Sequence, residues 1–219
     1  MTTARPRTLG QKLGLSEAEI CILARLRTPA EVQDFVDAIP MNFEPDGDTY
    51  RSVQGVLRVR RAHCIEGAFV AAAALFMQGR PPLLMDMQAI PLDDDHVIAP
   101  FKEGGLWGAI SKSNAPTLRY RDPVYRSPRE LAMSYFHEYS KGRIKTLRTY
   151  SMPLDLRRFD PKLWVTASDD CWDMAEIVDG IRHFTLVPPA RRRGLRLRDR
   201  IEARAGKLEE HRDPRKRRG

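Results

Sequence analysis

The fifteen residues from Cys64 to Gln78 constrain the fold most, because they are apolar on almost every side and carry a single charge, Glu66. A helix of that character has no face for water and belongs in an interior. Gly79 suits a left-handed C-cap that would close it, and Pro81-Pro82 restarts the chain. Positions 64, 68, 71 and 75 are Cys, Ala, Ala and Leu, a stripe narrow enough for a sheet to approach closely. Three segments with strand character follow: Leu83 to Ile90, His96 to Phe101, and Leu106 to Ser111. Glu103-Gly104-Gly105 is a turn signal between the last two. The sequence therefore predicts an α+β fold in which helices cover an antiparallel meander.

Two capping boxes precede that core. Ser16 with Glu19 opens a helix carrying Ile20, Leu23 and Leu26, and Thr28 with Pro29 and Glu31 opens another carrying Val32, Phe35, Val36 and Ile39. Ser52 to Arg60 reads as a short helix with Val53, Val56 and Leu57 inward. Beyond the meander, Ser127-Pro128-Arg129-Glu130 caps a helix expected to reach Tyr139, and Leu147 to Leu156 reads as extended. Asp169-Asp170 is expected to cap a helix through Cys171, Met174, Ile177 and Val178, and Phe184 to Val187 to form a closing strand.

At 219 residues and 42% hydrophobic, the chain suits one domain, residues 1–189, followed by a tail, residues 190–219. The tail holds eleven arginines and two lysines against five acidic residues, which equals the net charge of +8 of the whole chain. The body is therefore neutral, and the basic character is not that of a nucleic-acid-binding domain. Leu197, Ile201, Ala205 and Leu208 fall at helical spacing, so 195–210 reads as a basic amphipathic helix with Arg215 to Arg218 beyond it. A solvated tail is one reading of this stretch. A contact with nucleic acid or another acidic partner, weakened by salt, is the other. No apolar run reaches the eighteen residues of a membrane span, and Met1 to Arg7 lacks the apolar core of a secretory signal. Three scattered cysteines, Cys21, Cys64 and Cys171, make neither a disulfide framework nor a metal knuckle, and the expected location is cytoplasmic.

Cys64 draws attention for its position. A thiol attacks as its thiolate, and the first turn of a helix lowers a thiol's pKa through its unpaired N–H groups and dipole. His96, entering a strand expected to lie against that helix, is the candidate base. His63 is adjacent in sequence, but neighbouring helical residues diverge by roughly 100°, so it is expected to point away. A third group must fix the imidazole, and Asn114, ending the third strand, is placed for it, with Asp122 as the alternative.

Cysteine at a helix start, histidine entering a strand and Asp or Asn ending the next is an order that resembles the transglutaminase-like superfamily of papain-type cysteine enzymes. Cys64-Ile65-Glu66-Gly67-Ala68 is similar to the family's cysteine motif, with His63 where a glycine usually lies. Asp95-His96-Val97 resembles its histidine strand, and Gly105 to Ile110 its Gly-Trp strand. Asn114 stands where the family usually has Asp. The resemblance runs from about Val53 to Asn114. It implies a transglutaminase-like, papain-like fold and attack on an amide or ester carbonyl of a peptide or amide substrate. A thioester would follow, resolved by water or an amine, with no metal or cofactor required. The oxyanion would sit on the Cys64 backbone N–H and a second donor, for which Gln54 is the candidate.

Plainer readings accompany these. Cys64 can be a core filler and His96 a hydrogen-bonded strand residue. Trp107 packs in the core or shields His96. Asp93-Asp94-Asp95 reads as a solvated turn or a hard-cation site, and Cys64, His63 and His96 lack a fourth zinc ligand. The alternative to an enzyme is a binding module of the same fold that engages a partner through its basic tail.

Overall fold

The computed structural model describes residues 4–213. The central element is α5 (Cys64–Met77), buried along nearly its whole length, as its all-apolar surface requires. Around it pack α1 (Ala4–Lys12), α2 (Glu17–Leu23), α3 (Pro29–Asp37) and α4 (Val53–Val59). Both predicted capping boxes are formed, Ser16 with Glu19 on α2 and Thr28 with Glu31 on α3. The polar segment that forms α1 gives no periodic signal, and its helix was not foreseen. Arg60 caps α4 in the left-handed region, φ 58°, and this sharp turn leads directly to the start of α5.

The meander is β1 (Leu83–Gln88), β2 (His96–Glu103) and β3 (Leu106–Ile110), antiparallel throughout. Gly104 and Gly105, at φ 57° and 84°, form the two-residue hairpin between β2 and β3. The sheet extends on one side through β4 (Arg121–Tyr125), where Pro123 lies in an edge strand that the sequence reading passed over. After α6 (Pro128–Met133) and a hairpin of β5 (Ser140–Lys141) and β6 (Ile144–Lys145), the chain joins the other side of the sheet. It does so through β7 (Thr149–Ser151), β8 (Leu154–Asp155) and, past α7 (Trp172–Gly180), β9 (His183–Thr185). The strand order is β4-β3-β2-β1-β7-β9, with β8 also paired to β1.

Strand alternation divides the core in two. Leu84, Val97, Ala99, Phe101 and Ile110 face the layer of α1 to α5 and α7. Met85, Met87, Ile98 and Ala109 face a second layer built by Leu131, Tyr135, Phe136, Tyr139 and Leu147. The sheet is thus covered on both faces, consistent with an α+β class.

Several local expectations are corrected. Helix α6 ends at Met133 and continues to Tyr139 only as turns. Cys171, not Asp170, caps α7, because the Asp170 carboxylate accepts from the Tyr50 N–H at 2.9 Å. After the short α8 (Pro189–Arg192), the tail helix shrinks to α9 (Arg200–Ala205), and Leu197, Ile201 and Leu208 are exposed rather than packed. The segment beyond α9 returns to the body, where the Asn114 side chain exchanges two hydrogen bonds with the His211 backbone, of 2.9 and 2.8 Å. Arg215 to Arg218 lie outside the described residues. No described helix is long and apolar enough to cross a membrane.

Candidate active site

Cys64 is the first residue of α5, and the segment before it is fastened in place. Met41 and Ala62 form a parallel bridge, with Asn42 N–H donating to the Ala62 carbonyl and Ala62 N–H to that of Pro40. Glu66, fully buried, gathers the loop around the helix start. Its carboxylate accepts from the His63 N–H at 2.9 Å, the Arg51 N–H at 3.0 Å, the Thr49 hydroxyl at 2.9 Å and the Asn42 amide at 3.2 Å. A buried carboxylate is tolerated here because its oxygens are matched by donors and by the Arg51 guanidinium at 3.3 Å. Gly67 is required one turn in, since a Cβ there would lie 2.4 Å from Cβ of Lys112. That lysine is buried and donates to the Asp37 and Ile39 carbonyls at the end of α3.

The expectation that His63 points away is overturned. His63 is the residue before the helix, with φ −101° and ψ −166°, so helical divergence does not govern it. Its Nδ1 lies 3.9 Å from the Cys64 sulfur, and its Nε2 donates to the Thr49 carbonyl at 2.6 Å. Carboxylate oxygens of Glu44 and Glu66 stand 3.5 and 3.7 Å from the same nitrogen. Burial opposes charging of this ring, but the hydrogen bond to Cys64, the charge of that sulfur and the two glutamates prevail and raise its pKa from 6.5 to about 9.

His96, at the start of β2, lines the same cleft as Cys64. Burial pushes the Cys64 thiol up, but hydrogen bonds to the rings of His63 and His96, with the charges of both, outweigh it and bring the pKa from 9.0 down to about 6. Nε2 of His96 lies 2.7 Å from the Ser111 hydroxyl, and that hydroxyl donates its one proton to the Leu118 carbonyl, also at 2.7 Å. Ser111 must then accept from Nε2–H, which leaves Nδ1 of His96 as the basic nitrogen. The ring is buried and lies edge-on to Tyr139, with centroids 6.3 Å apart.

The third residue is where the sequence reading fails. The register sets Ala99 opposite Ile110. Carried past the last pair, it puts Ser111 on the face of His96 and Asn114 on the opposite one. Asn114 accordingly pairs with His211, and Asp122 is exposed on the edge strand β4. Gln54, the expected second oxyanion donor, gives its amide to Glu19 at 2.9 Å instead. Trp107 lies under the Lys102 ammonium, 4.5 Å from its ring centroid, so the aromatic beside His96 is Tyr139. Asp93 to Asp95 lie at the cleft, with Asp93 accepting from Thr146 at 2.5 Å and Asp95 from the Ala89 N–H at 2.8 Å. Among the described residues, no group of three or more His, Cys, Asp or Glu is arranged to hold a metal ion.

Two clefts, of about 530 and about 730 Å³, meet at His63 and Cys64. The first runs over the helical layer, past Tyr50, Asp86 and Asp179. The second contains His96, Tyr139 and Lys112, and Gly206, Lys207 and Glu209 of the returning tail form part of its wall. Fold and site together describe an α+β protein with a thiol held between two imidazoles at a buried helix start. No family model matches the chain, and no curated protein matches it.

Proposed function

We propose that the protein is a cysteine-dependent acyl-transfer enzyme, with a transglutaminase-like, papain-like fold, acting on an amide or peptide substrate. The observation that carries this reading is the pairing of a thiol brought down to about 6 with a neighbouring imidazole raised to about 9. At neutral pH these values favour a thiolate beside an imidazolium.

The two histidines suit different tasks. His63, anchored to Thr49 and flanked by two glutamates, holds its proton and stabilises the thiolate. With Nε2 of His96 occupied by Ser111, Nδ1 is the nitrogen left for the sulfur, the arrangement of a general acid and base with a fixed tautomer. Sulfur attack on the carbonyl gives a tetrahedral oxyanion, which the first-turn N–H groups of α5 are oriented to receive. Once sulfur is bonded to carbon, the anion that kept the displaced thiol proton on the neighbouring imidazoles is gone, so that proton passes by way of His96 to the departing amine and leaves a thioester with His96 neutral at Nδ1. The same ring then takes a proton from water or an incoming amine as the thioester is resolved. Hydrolysis, deamidation and transfer share this first half. The free cysteines fit a reducing, cytoplasmic setting.

Iodoacetamide labelling across pH tests the proposal. A Cys64 rate that follows an ordinary thiol pKa and is indifferent to His96→Ala would remove its basis. The second reading, a binding module without turnover, draws on the tail, where Arg191, Arg192 and Arg193 are exposed and offer positive charge to nucleic acid or an acidic partner. Salt-sensitive binding that survives deletion of residues 191–219 would sink it.

A further inference from the structure

We propose that the cleft on the helical side of Cys64 is a subsite for a basic group of the acyl donor, a lysine ammonium or arginine guanidinium carried near the carbonyl under attack. The inference rests on the acyl-transfer reading above and names its substrate class.

Seven carboxylates line this cleft, and no lysine or arginine does. Carboxylates alone would be unremarkable at a surface, but Asp86 is not at the surface. It sits on β1 with 1% of its area exposed, and one oxygen receives Nε2 of His183 at 2.9 Å. The other, Oδ1, is buried without a partner. A buried unpaired carboxylate oxygen is costly, and a donor arriving from the cleft removes that cost. Asp179 adds a second anomaly. It lies in the last turn of α7, at the negative end of the helix dipole, where a cation would be favoured.

The remaining groups fit the same ligand. Burial and then the charge of Asp86 raise the pKa of Asp179, and burial followed by the charges of Asp86 and Asp179 raises that of Asp95 against the pull of the Ala89 N–H and His183, so a cation placed among them would relieve their mutual repulsion. The nearby positive groups are His183 against Asp86, His63 at Cys64 and Lys141, whose ammonium lies 3.6 Å from Asp93; each already has a carboxylate partner, and none donates to Asp86 Oδ1. Tyr50 supplies an aromatic wall, its ring packed edge-on to His63 and Trp172, of the kind that accommodates alkylammonium and guanidinium groups. A bound metal ion is the poorer match, since no described group of three such ligands converges.

Charged methanethiosulfonates report on the subsite through Cys64 itself. In full-length protein carrying Cys21→Ser, Cys64 modification by the aminoethyl, sulfonatoethyl and uncharged methyl reagents is followed by mass spectrometry. The aminoethyl-to-sulfonatoethyl rate ratio is expected to exceed that of the urea-unfolded chain by about tenfold or more. Asp86→Asn and Asp179→Asn should each reduce it at least about threefold, the exposed Asp179 serving if the buried substitution perturbs folding. Rapid methylthiolation, to the mixed disulfide with release of methanesulfinate, at a ratio equal to that of the unfolded chain overturns the subsite and leaves the nucleophile standing. Failure of all three reagents at Cys64 overturns the acyl-transfer reading on which it rests. With peptide thioesters, a lysine-containing donor should show a lower KM than its norleucine counterpart, and equal values reject a basic donor.

Discussion

The thiolate assignment can be tested by a ratio of rates that does not depend on how exposed Cys64 is. With a thiol pKa of about 6, the thiolate fraction is about one half at pH 6 and nearly one at pH 9, so the modification rate should rise only about twofold across that range. An ordinary thiol at 9.0 goes from about 0.001 to about one half, a rise of about 500-fold. The lowered pKa also weakens the nucleophile, by about 20-fold for a Brønsted slope of 0.4–0.5. Compared with the same chain unfolded in urea, folded Cys64 should therefore react about 25-fold faster at pH 6 and about tenfold slower at pH 9, before any allowance for shielding. The assay is stopped-flow reaction with a neutral disulfide. Cys21→Ser removes the exposed thiol, and buried Cys171, raised to about 12, remains silent. In His63→Ala the inflection should move upward, because the first of the hydrogen bonds lowering the thiol is gone. A folded-state rise above about 50-fold between pH 6 and 9 would refute the reasoning.

Other substitutions probe the scaffold. Gly67→Ala should cost about 1–2 kcal/mol in urea unfolding, the overpacking against Lys112 exceeding the helical gain of alanine. An unchanged midpoint would mean that Lys112 moves aside freely. Glu66→Ala should cost about 3 kcal/mol, because it leaves Arg51, the His63 N–H and the Thr49 hydroxyl facing an empty buried site. It should also lower the His63 pKa, measurable by NMR titration. Ser111→Ala frees the His96 tautomer, so turnover should fall by about tenfold or more while thiol modification at pH 7 stays nearly constant. Parallel losses in both would make Ser111 merely structural.

The fold was legible where the sequence carries periodic or capping signals. The buried α5, the capping boxes of α2 and α3 and the antiparallel meander each rest on residues whose local preference and tertiary role agree. At the site, the sequence located Cys64 and His96 but not their neighbours. His63 was misjudged because a helical angle was applied to a residue just outside the helix. Asn114 was preferred over Ser111 for its chemistry, although strand alternation, once the hairpin at Gly104-Gly105 fixes the register, already favours Ser111. Tyr139 and Glu66 could not be found this way. Their roles depend on long-range packing, Tyr139 from beyond β4 and Glu66 through partners on the 42–51 loop.

The same pair of pKa values leads to a less obvious consequence for stability. Cys64 is depressed, so its contribution is fully present above its unfolded value of 9.0 and is lost as pH falls through about 6. His63 is raised, so its contribution is fully present below 6.5 and is lost as pH rises through about 9. Taken singly, the first would gain about 4 kcal/mol over its whole titration, from well below pH 6 to well above pH 9, and the second would lose about 3.4 kcal/mol from well below pH 6.5 to well above pH 9. Together they nearly cancel, because folding moves a proton from sulfur to imidazole without releasing it. The stability difference between the wild type and Cys64→Ser, from urea unfolding under reducing conditions, should therefore vary by less than about 1 kcal/mol from pH 6.5 to 9. A steady climb of about 2 kcal/mol or more would mean that no proton is taken up on His63 in exchange for the one lost from sulfur, the thiolate being either alone or beside an imidazole already charged by its glutamates.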